Sequence, residues 1–375
     1  MWIRAIWPAV IILLAARQTS LAGTTYTVVD LSPPGFTDSG ALGADNGVQA
    51  GFGRGGASSV NHALIWHGNA AGFIDLNGGF TSSIVNAVSG GFEGGSAVGA
   101  GTGGNDHAML WSGTASSAVD LNPTGYSNSS ILAVGISQQG GSAADSSTGN
   151  RDHAMLWTGT STSAVDINPV GFDGSAVLAV GGSQQGGYAY SISTTGGVNH
   201  AMLWTGTAAS AVDLNPTGSA GSEVFGIAGG LQVGEAGDPV SGIHAHATLW
   251  SGTAASAIDL HPAGFLDSSA LAIGDGEEVG YAAAPTNGKG GTDAMVWSGT
   301  AASAIDLKQF LSVPYAISEA TGIDSNGDIV GYGVDSSQNV HAIEWIPSPE
   351  PGSLVTLGIG ATSVLARRRK SATPN

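Results

Sequence analysis

Tryptophan sets the frame of this chain. Beyond the first two dozen residues it occurs at Trp66, Trp111, Trp157, Trp204, Trp250, Trp297 and Trp345, in steps of 45, 46, 47, 46, 47 and 48 residues, and nowhere else. The words around it recur as well: "HAMLWSGTASSAVDLNPTG" at 107–125, "HAMLWTGTSTSAVDINPVG" at 153–171 and "HAMLWTGTAASAVDLNPTG" at 200–218. A period of this length marks a repeat architecture, in which each copy is one supersecondary unit that buries its apolar face only against its neighbours. The copied stretch therefore reads as a building unit rather than as one binding site used many times.

Each unit reads as four short strands. "HAMLW" is the first and "SAVDL" the second, closed by "NPTG", whose Pro and Gly stop the ladder. "ILAVG" is the third. A Gly-rich fourth follows, as in "EEVGYAA" at 277–283 and "DIVGYGV" at 328–334. Asn46-Gly47 and Asn326-Gly327 fit tight hairpins between the third and fourth strands, because both residue types accept positive φ. No stretch of the body sustains a 3.6-residue apolar period, so almost no helix is expected. Four strands in about 46 residues is the arithmetic of a β-propeller blade. A parallel β-helix would use coils of about half that length.

The ends of the body supply the count. "TYTVVDLSPPGF" from Thr25 matches the second strand of the repeat, with Asp30 in register, but lacks a preceding "HAMLW". "HAIEW" at 341–345 is a first strand with nothing after it. Residues 25–61 are thus expected to supply strands two to four of a unit whose first strand is 341–345. The fold predicted is an all-β, seven-bladed β-propeller of four-stranded blades, its ring closed by pairing of the N- and C-terminal strands, which leaves no exposed end blade.

This pattern resembles the HAF repeat family, named for a His-Ala-Phe core, with Phe replaced by Met, Leu, Thr or Ile, as in His107-Ala108-Met109. The resemblance spans essentially the whole body. It implies an extracellular repeat protein and brings no shared activity with it.

The composition agrees with short strands and turns: 61 Gly among 375 residues and only 10% charged side chains. There is no Cys, which excludes disulfides, thiolate catalysis and Cys-ligated metal. All 28 acidic residues lie between Asp30 and Glu350, against four basic ones in that stretch (Arg54, Arg151, Lys289 and Lys308), a net of 24 negative charges. Such a body repels phosphate backbones, so nucleic acid is not expected as a partner. Weak binding of divalent cations is compatible with it.

The termini read as addresses. Residues 1–22 carry Arg4, the apolar run "AIWPAVIILLAA" and small residues at Ser20-Leu21-Ala22, the layout of a signal peptide. Twelve helical residues reach about 18 Å, short of a membrane core of about 30 Å. The tail, 347–375, runs Pro349-Glu350-Pro351, an uncharged apolar stretch to Ala366, then Arg367-Arg368-Arg369-Lys370. Physically this is a stop-transfer device. It resembles the PEP-CTERM sorting signal of Gram-negative bacteria, which implies a transient membrane anchor, processing by an exosortase-type enzyme and delivery to the cell surface or extracellular matrix. A plain C-terminal anchor is the other reading of the same residues. The propeller itself is expected over 23–346.

Few residues invite chemistry. His stands four residues before each Trp (His62, His107, His153, His200, His246 and His341), with Asp293 in its place once, and Asp follows nine residues after the first six. A His–Asp pair is general-base machinery in principle, but six copies of one pair read as a strand-to-strand lock, comparable to the polar residues of WD-repeat propellers. His244 and His246 share a strand face and, with Asp259 and His261, offer metal-ligand types; His246 belongs to the repeat, and no metal site is assigned. Asp324-Ser325-Asn326-Gly327-Asp328 opens like a calcium loop, but lacks the closing Glu and fits a hairpin equally. No nucleophile elbow and no phosphate loop is found.

No catalytic, cofactor or metal residue is therefore assigned. The expected role is a non-enzymatic scaffold or binding module whose ligand, a carbohydrate or another surface protein, meets the variable loops 144–152, 191–199 and 235–245 or the top of the channel. The alternative is an extracellular polysaccharide-active enzyme on the same scaffold. It requires the off-repeat residues Asp275, Glu277, Glu278 and His244 to converge.

Overall fold

Tight turns decide where this chain folds back. Asn46 and Gly47 both adopt positive φ, 49° and 79°, the geometry of a two-residue hairpin turn between Asp38–Asp45 and Val48–Arg54. At 326–327 only Gly327 does so, with φ 84°, because Asp324 caps a longer turn there. The computed structural model describes residues 24–55, 60–238, 244–285 and 291–348. Residues 1–22, where a signal peptide is expected, and the tail from Pro349 lie outside the described residues.

Among the described residues, twenty-eight strands form seven four-stranded antiparallel sheets. The first blade runs, from the axis outward, Asp38–Asp45, Val48–Arg54, Asn61–Trp66 and Ile74–Asp75. The inner strands of the next five blades are Ser82–Ser89, Asn128–Val134, Gly174–Gly181, Ser222–Ala228 and Asp267–Gly274. The seventh blade takes Ile317–Ile323, Ile329–Val334 and Val340–Ser348 from the end of the chain and Thr25–Asp30 from its beginning. Each blade packs on the next, and the seventh packs on the first, so the ring closes. Helical structure among the described residues is limited to 3₁₀ turns of three or four residues.

The closing strand pairs over six residues, from Thr25 opposite Ser348 to Asp30 opposite Ile343. Other outer strands pair over two, as with Met155–Asp166 and Leu156–Val165. The closing strand is thus more extensively paired than any other outer strand among the described residues. The pairing of the two ends and the number of blades follow the sequence reading, but the blade boundary does not. "HAMLW" and "SAVDL" are the third and outer strands of one blade, and the following "ILAVG" and Gly-rich strands are the inner pair of the next. The N-terminal segment consequently gives one strand to the seventh blade, not three; 38–54 belongs to the first blade. The physical reason lies in "NPTG", which ends the outer strand and carries the chain across to the axis instead of turning it back along the sheet.

Every one of the seven Trp side chains is fully buried. Trp111 of the second blade packs with Ala63, Ile65 and Leu76 of the first, and Trp157 of the third with Ala108, Leu110 and Leu121 of the second, so the indole fills the wedge between adjacent blades. One Gly in each second strand is equally fixed. A Cβ on Gly141 would strike the carbonyl oxygen of Ser130, and six equivalent glycines, from Gly51 to Gly331, meet an inner-strand carbonyl in the same way. The register slips by one residue just beyond, as at Ile131/Ala133, and the bulged residue turns to the axis. These residues, Leu42, Asn86, Leu132, Leu178, Phe225, Leu271 and Thr321, form a collar around a channel cavity of about 380 Å³.

Candidate functional site

The repeated His and Asp meet, as their spacing predicts. His62, His107, His153, His200 and His246 each donate from Nδ1 to Oδ2 of Asp75, Asp120, Asp166, Asp213 and Asp259, at 2.7–2.9 Å. The other carboxylate oxygen accepts the backbone N–H two residues on, for example Asn122 N to Asp120 Oδ1 at 2.8 Å. Asn122 then accepts from Ser129 Oγ of the next blade, and Ser129 Oγ accepts the buried N–H of Ala108. The chain of bonds therefore runs from the outer hairpin of one blade to the inner strand of the next. The bonds link backbone and side chains from one blade to the next, which is what a structural bolt requires.

The variants of this bolt are informative. In the sixth blade Asp293 replaces His and Lys308 replaces Asn, and the two pair at 2.6 Å. In the fifth, His261 replaces Asn: its Nδ1 accepts from Ser268 Oγ and its Nε2 donates to the Phe265 carbonyl. Burial, then the neighbouring His246 ring, lowers the affinity of His261 for a second proton. In the seventh, His341 turns to Ser32 and Asp335 rather than to Asp30.

The metal candidates are absorbed by these roles. His246 stacks on His261 with ring centroids 3.9 Å apart, and His244 pairs with Asp267 at 2.9 Å. Among the described residues no group of three or more His, Asp or Glu is arranged to hold a metal ion. The carboxylate of Asp324 is filled by N–H donors: Asn326 N and Asp328 N on Oδ1, Gly47 N and Asn326 Nδ2 on Oδ2. Donors of that kind mark a capped turn, not a calcium loop.

The off-repeat set does not converge. His244 sits beside Asp267, the first residue of the sixth blade's inner strand, whereas Asp275 follows the last; eight residues at about 3.3 Å each separate the two ends. Glu278 is a repeat residue after all. Gln49, Glu93, Gln139, Gln185, Gln232 and Glu278 each stand opposite the blade's Trp, buried, and accept the N–H of the Gly two residues after it at 2.7–2.9 Å. The sequence signal was present, a Gln or Glu 17–19 residues before each of the first six Trp, but the Gly-rich strand around it hides the pattern. Glu277, its neighbour, is pushed up to about 7 by burial and by Asp275 and Glu278.

Two carboxylates outside the bolts do meet, at the end of the ring where the inner strands begin. Glu223 and Glu235 lie directly opposite one another on the inner and second strands of the fifth blade. Glu223 accepts from Asn199 Nδ2 at 2.7 Å. Burial raises the pKa of both, and Glu223 and Asp267 raise Glu235 further while the Ser269 hydroxyl opposes the shift. With His244 and Asn199 they line a cavity of about 300 Å³, bordered by 198–199 and by 235–237 and 244–245, so two of the three variable stretches frame one hollow. Tyr188 and Tyr281, each raised by burial and by a nearby glutamate, stand on the blades to either side. The third stretch is a self-capped turn on Asp145, away from this hollow. The channel collar, by contrast, is mostly apolar: Asn86 Nδ2 and Thr321 Oγ1 donate to the carbonyls of Ile131 and Ala41, and the other bulged residues are apolar.

No protein-family model matches the chain, and no curated protein matches it in sequence. Solved structures do. The β-propeller domain of the Trilobed protease from Pyrococcus furiosus matches with a TM-score of 0.53 at 11% identity, over 83% of this chain and 95% of that one. That domain is described as having an open velcro topology, whereas here Thr25–Asp30 pairs with Val340–Ser348. The acylaminoacyl peptidase of Pyrococcus horikoshii matches with a TM-score of 0.51 at 9% identity, over 91% of this chain and 55% of that one. This chain thus spans little more than half of the peptidase. At such identities the likeness is one of fold.

Proposed function

We propose that this is an exported, surface-associated propeller that binds a carbohydrate, or a glycan-bearing surface protein, at the hollow between the fourth and fifth blades. The observation that carries this reading is the opposed pair Glu223 and Glu235, partly buried, outside the repeated bolts and framed by two variable loops. Carboxylates accept hydrogen bonds from paired sugar hydroxyls, and a concave site with a few convergent polar groups is the usual form of a small-molecule site. The route outward rests on the signal segment 1–22 and the PEP-CTERM-like tail, with an exosortase-type enzyme as the partner of that tail.

A glycan array with the chain and with Glu223→Gln/Glu235→Gln tests the reading. Retention of specific glycans by the unsubstituted chain, lost in the double variant, supports it. Retention unaffected by the substitutions places the site elsewhere. Shortening of a bound polysaccharide on incubation would move the assignment to the enzyme alternative.

A further inference from the structure

Glu344 breaks the repeat at the place where the ring closes. The residue before Trp is Ile65, Leu110, Leu156, Leu203, Leu249 or Val296 in the first six blades, all of them buried. In the seventh it is Glu344, only 2% exposed. It sits on Val340–Ser348 between Val29 of the closing strand and Val330 of the second strand. Its Oε1 accepts a 2.7 Å hydrogen bond from Gln49 Nε2 of the first blade, across the seam. Its Oε2 is buried and has no hydrogen-bond partner.

The groups that face it are anionic or neutral. Asp324, itself 3% exposed, and Asp328 approach from the hairpin of the seventh blade. The first blade contributes the Gln49 amide, and its Asp45 is turned to Gly90 of the second blade. The closing strand places Val29 opposite. The sixth blade brings Asp275 to the far side of the hairpin, near Gly327. The cations of the described residues are engaged elsewhere, Arg54 with Asp38, Arg151 with Asp173 and Lys308 with Asp293.

We infer that Glu344 is a proton-controlled latch on the closed ring, firm while the carboxyl is protonated and loosened when it ionises. An ionised Glu344 is a buried charge with one donor and two carboxylates beside it, a combination that costs stability unless a partner appears. Burial and Asp328 push the group up to about 7. Because the folded value lies above the unfolded one, its stabilising contribution is complete below about pH 4.5, declines as pH rises toward about 7, and is absent above that.

The test uses the purified full chain, Glu344→Gln and Glu344→Leu, the latter restoring the residue type of the other blades. Amide-exchange protection of 25–30 and 340–348 is measured against that of the fourth blade, from about pH 5 to about pH 8. The expected result is a loss of seam protection of about tenfold or more in the unsubstituted chain, with no comparable loss in either variant. Equal losses in all three proteins, or losses spread evenly over the blades, would overturn the latch. Calcium that restores seam protection at about pH 8 in the unsubstituted chain, but not in the variants, would overturn it too, by assigning Oε2 to a cation.

Discussion

Ser129 Oγ of the third blade lies 2.9 Å from the amide nitrogen of Ala108 in the second, and it is through such contacts that one blade holds the next. Ser129→Ala leaves that buried N–H without a partner and frees the Asn122 carbonyl. The expected cost is about 1–3 kcal/mol. Urea unfolding at neutral pH measures it, and a loss close to zero would mean that the bolt is incidental to blade packing.

Trp157 is fully buried between the second and third blades. Trp157→Ala is expected to destabilise by about 3–5 kcal/mol, through lost burial and the cavity left behind. Since each blade packs only on its neighbours, Trp204→Ala should cost a similar amount, and chemical denaturation of the two single variants checks the equivalence.

Gly141 has no room for a side chain, because a Cβ there would meet the Ser130 carbonyl oxygen of its own blade. Gly141→Ala is expected to lower the thermal midpoint more than Gly149→Val, a change at an exposed turn position, even though Gly149 has positive φ. A reversal of that order in calorimetry would contradict the bulge geometry.

Much of this architecture was legible because tryptophan occurs once per blade and nowhere else in the body. The seven Trp, the match of "TYTVVD" to "SAVDL" and the orphan "HAIEW" give the count and the closing pair. The blade boundary was not legible, since a repeat has no intrinsic starting point, and the inter-blade crossing at "NPTG" looks from sequence like one more turn. The Asn and Ser of each bolt were hidden for a related reason: they lie in different blades, and only the fold brings Asn122 to Ser129. His261 resembled a metal ligand because the role of the Asn it replaces in "NPTG" shows only once the Ser268 and Phe265 contacts are seen. Glu223 and Glu235 were missed because the variable stretches were read as loops, while the carboxylates belong to the strands beneath them.

Glu277 is held up to about 7 by burial, Asp275 and Glu278. Its contribution is therefore present below about pH 4.5, falls as pH rises toward about 7, and is gone above. Glu277→Gln should flatten the decline of the thermal midpoint across that interval and leave the more acidic side nearly unchanged. An unaltered pH profile would mean that Glu277 ionises freely.

The N-terminal strand closes the ring against the last one. Thr27 stands opposite Ile346 in that pairing, and the chain has no cysteine of its own. Cross-strand partners lie about 4.5–5.5 Å apart at Cα, within disulfide reach. In Thr27→Cys/Ile346→Cys, mild oxidation at low protein concentration should give a near-quantitative intramolecular disulfide, read by intact mass and by a raised thermal midpoint. Two free thiols under those conditions, or disulfide found only between molecules, would contradict the closed ring.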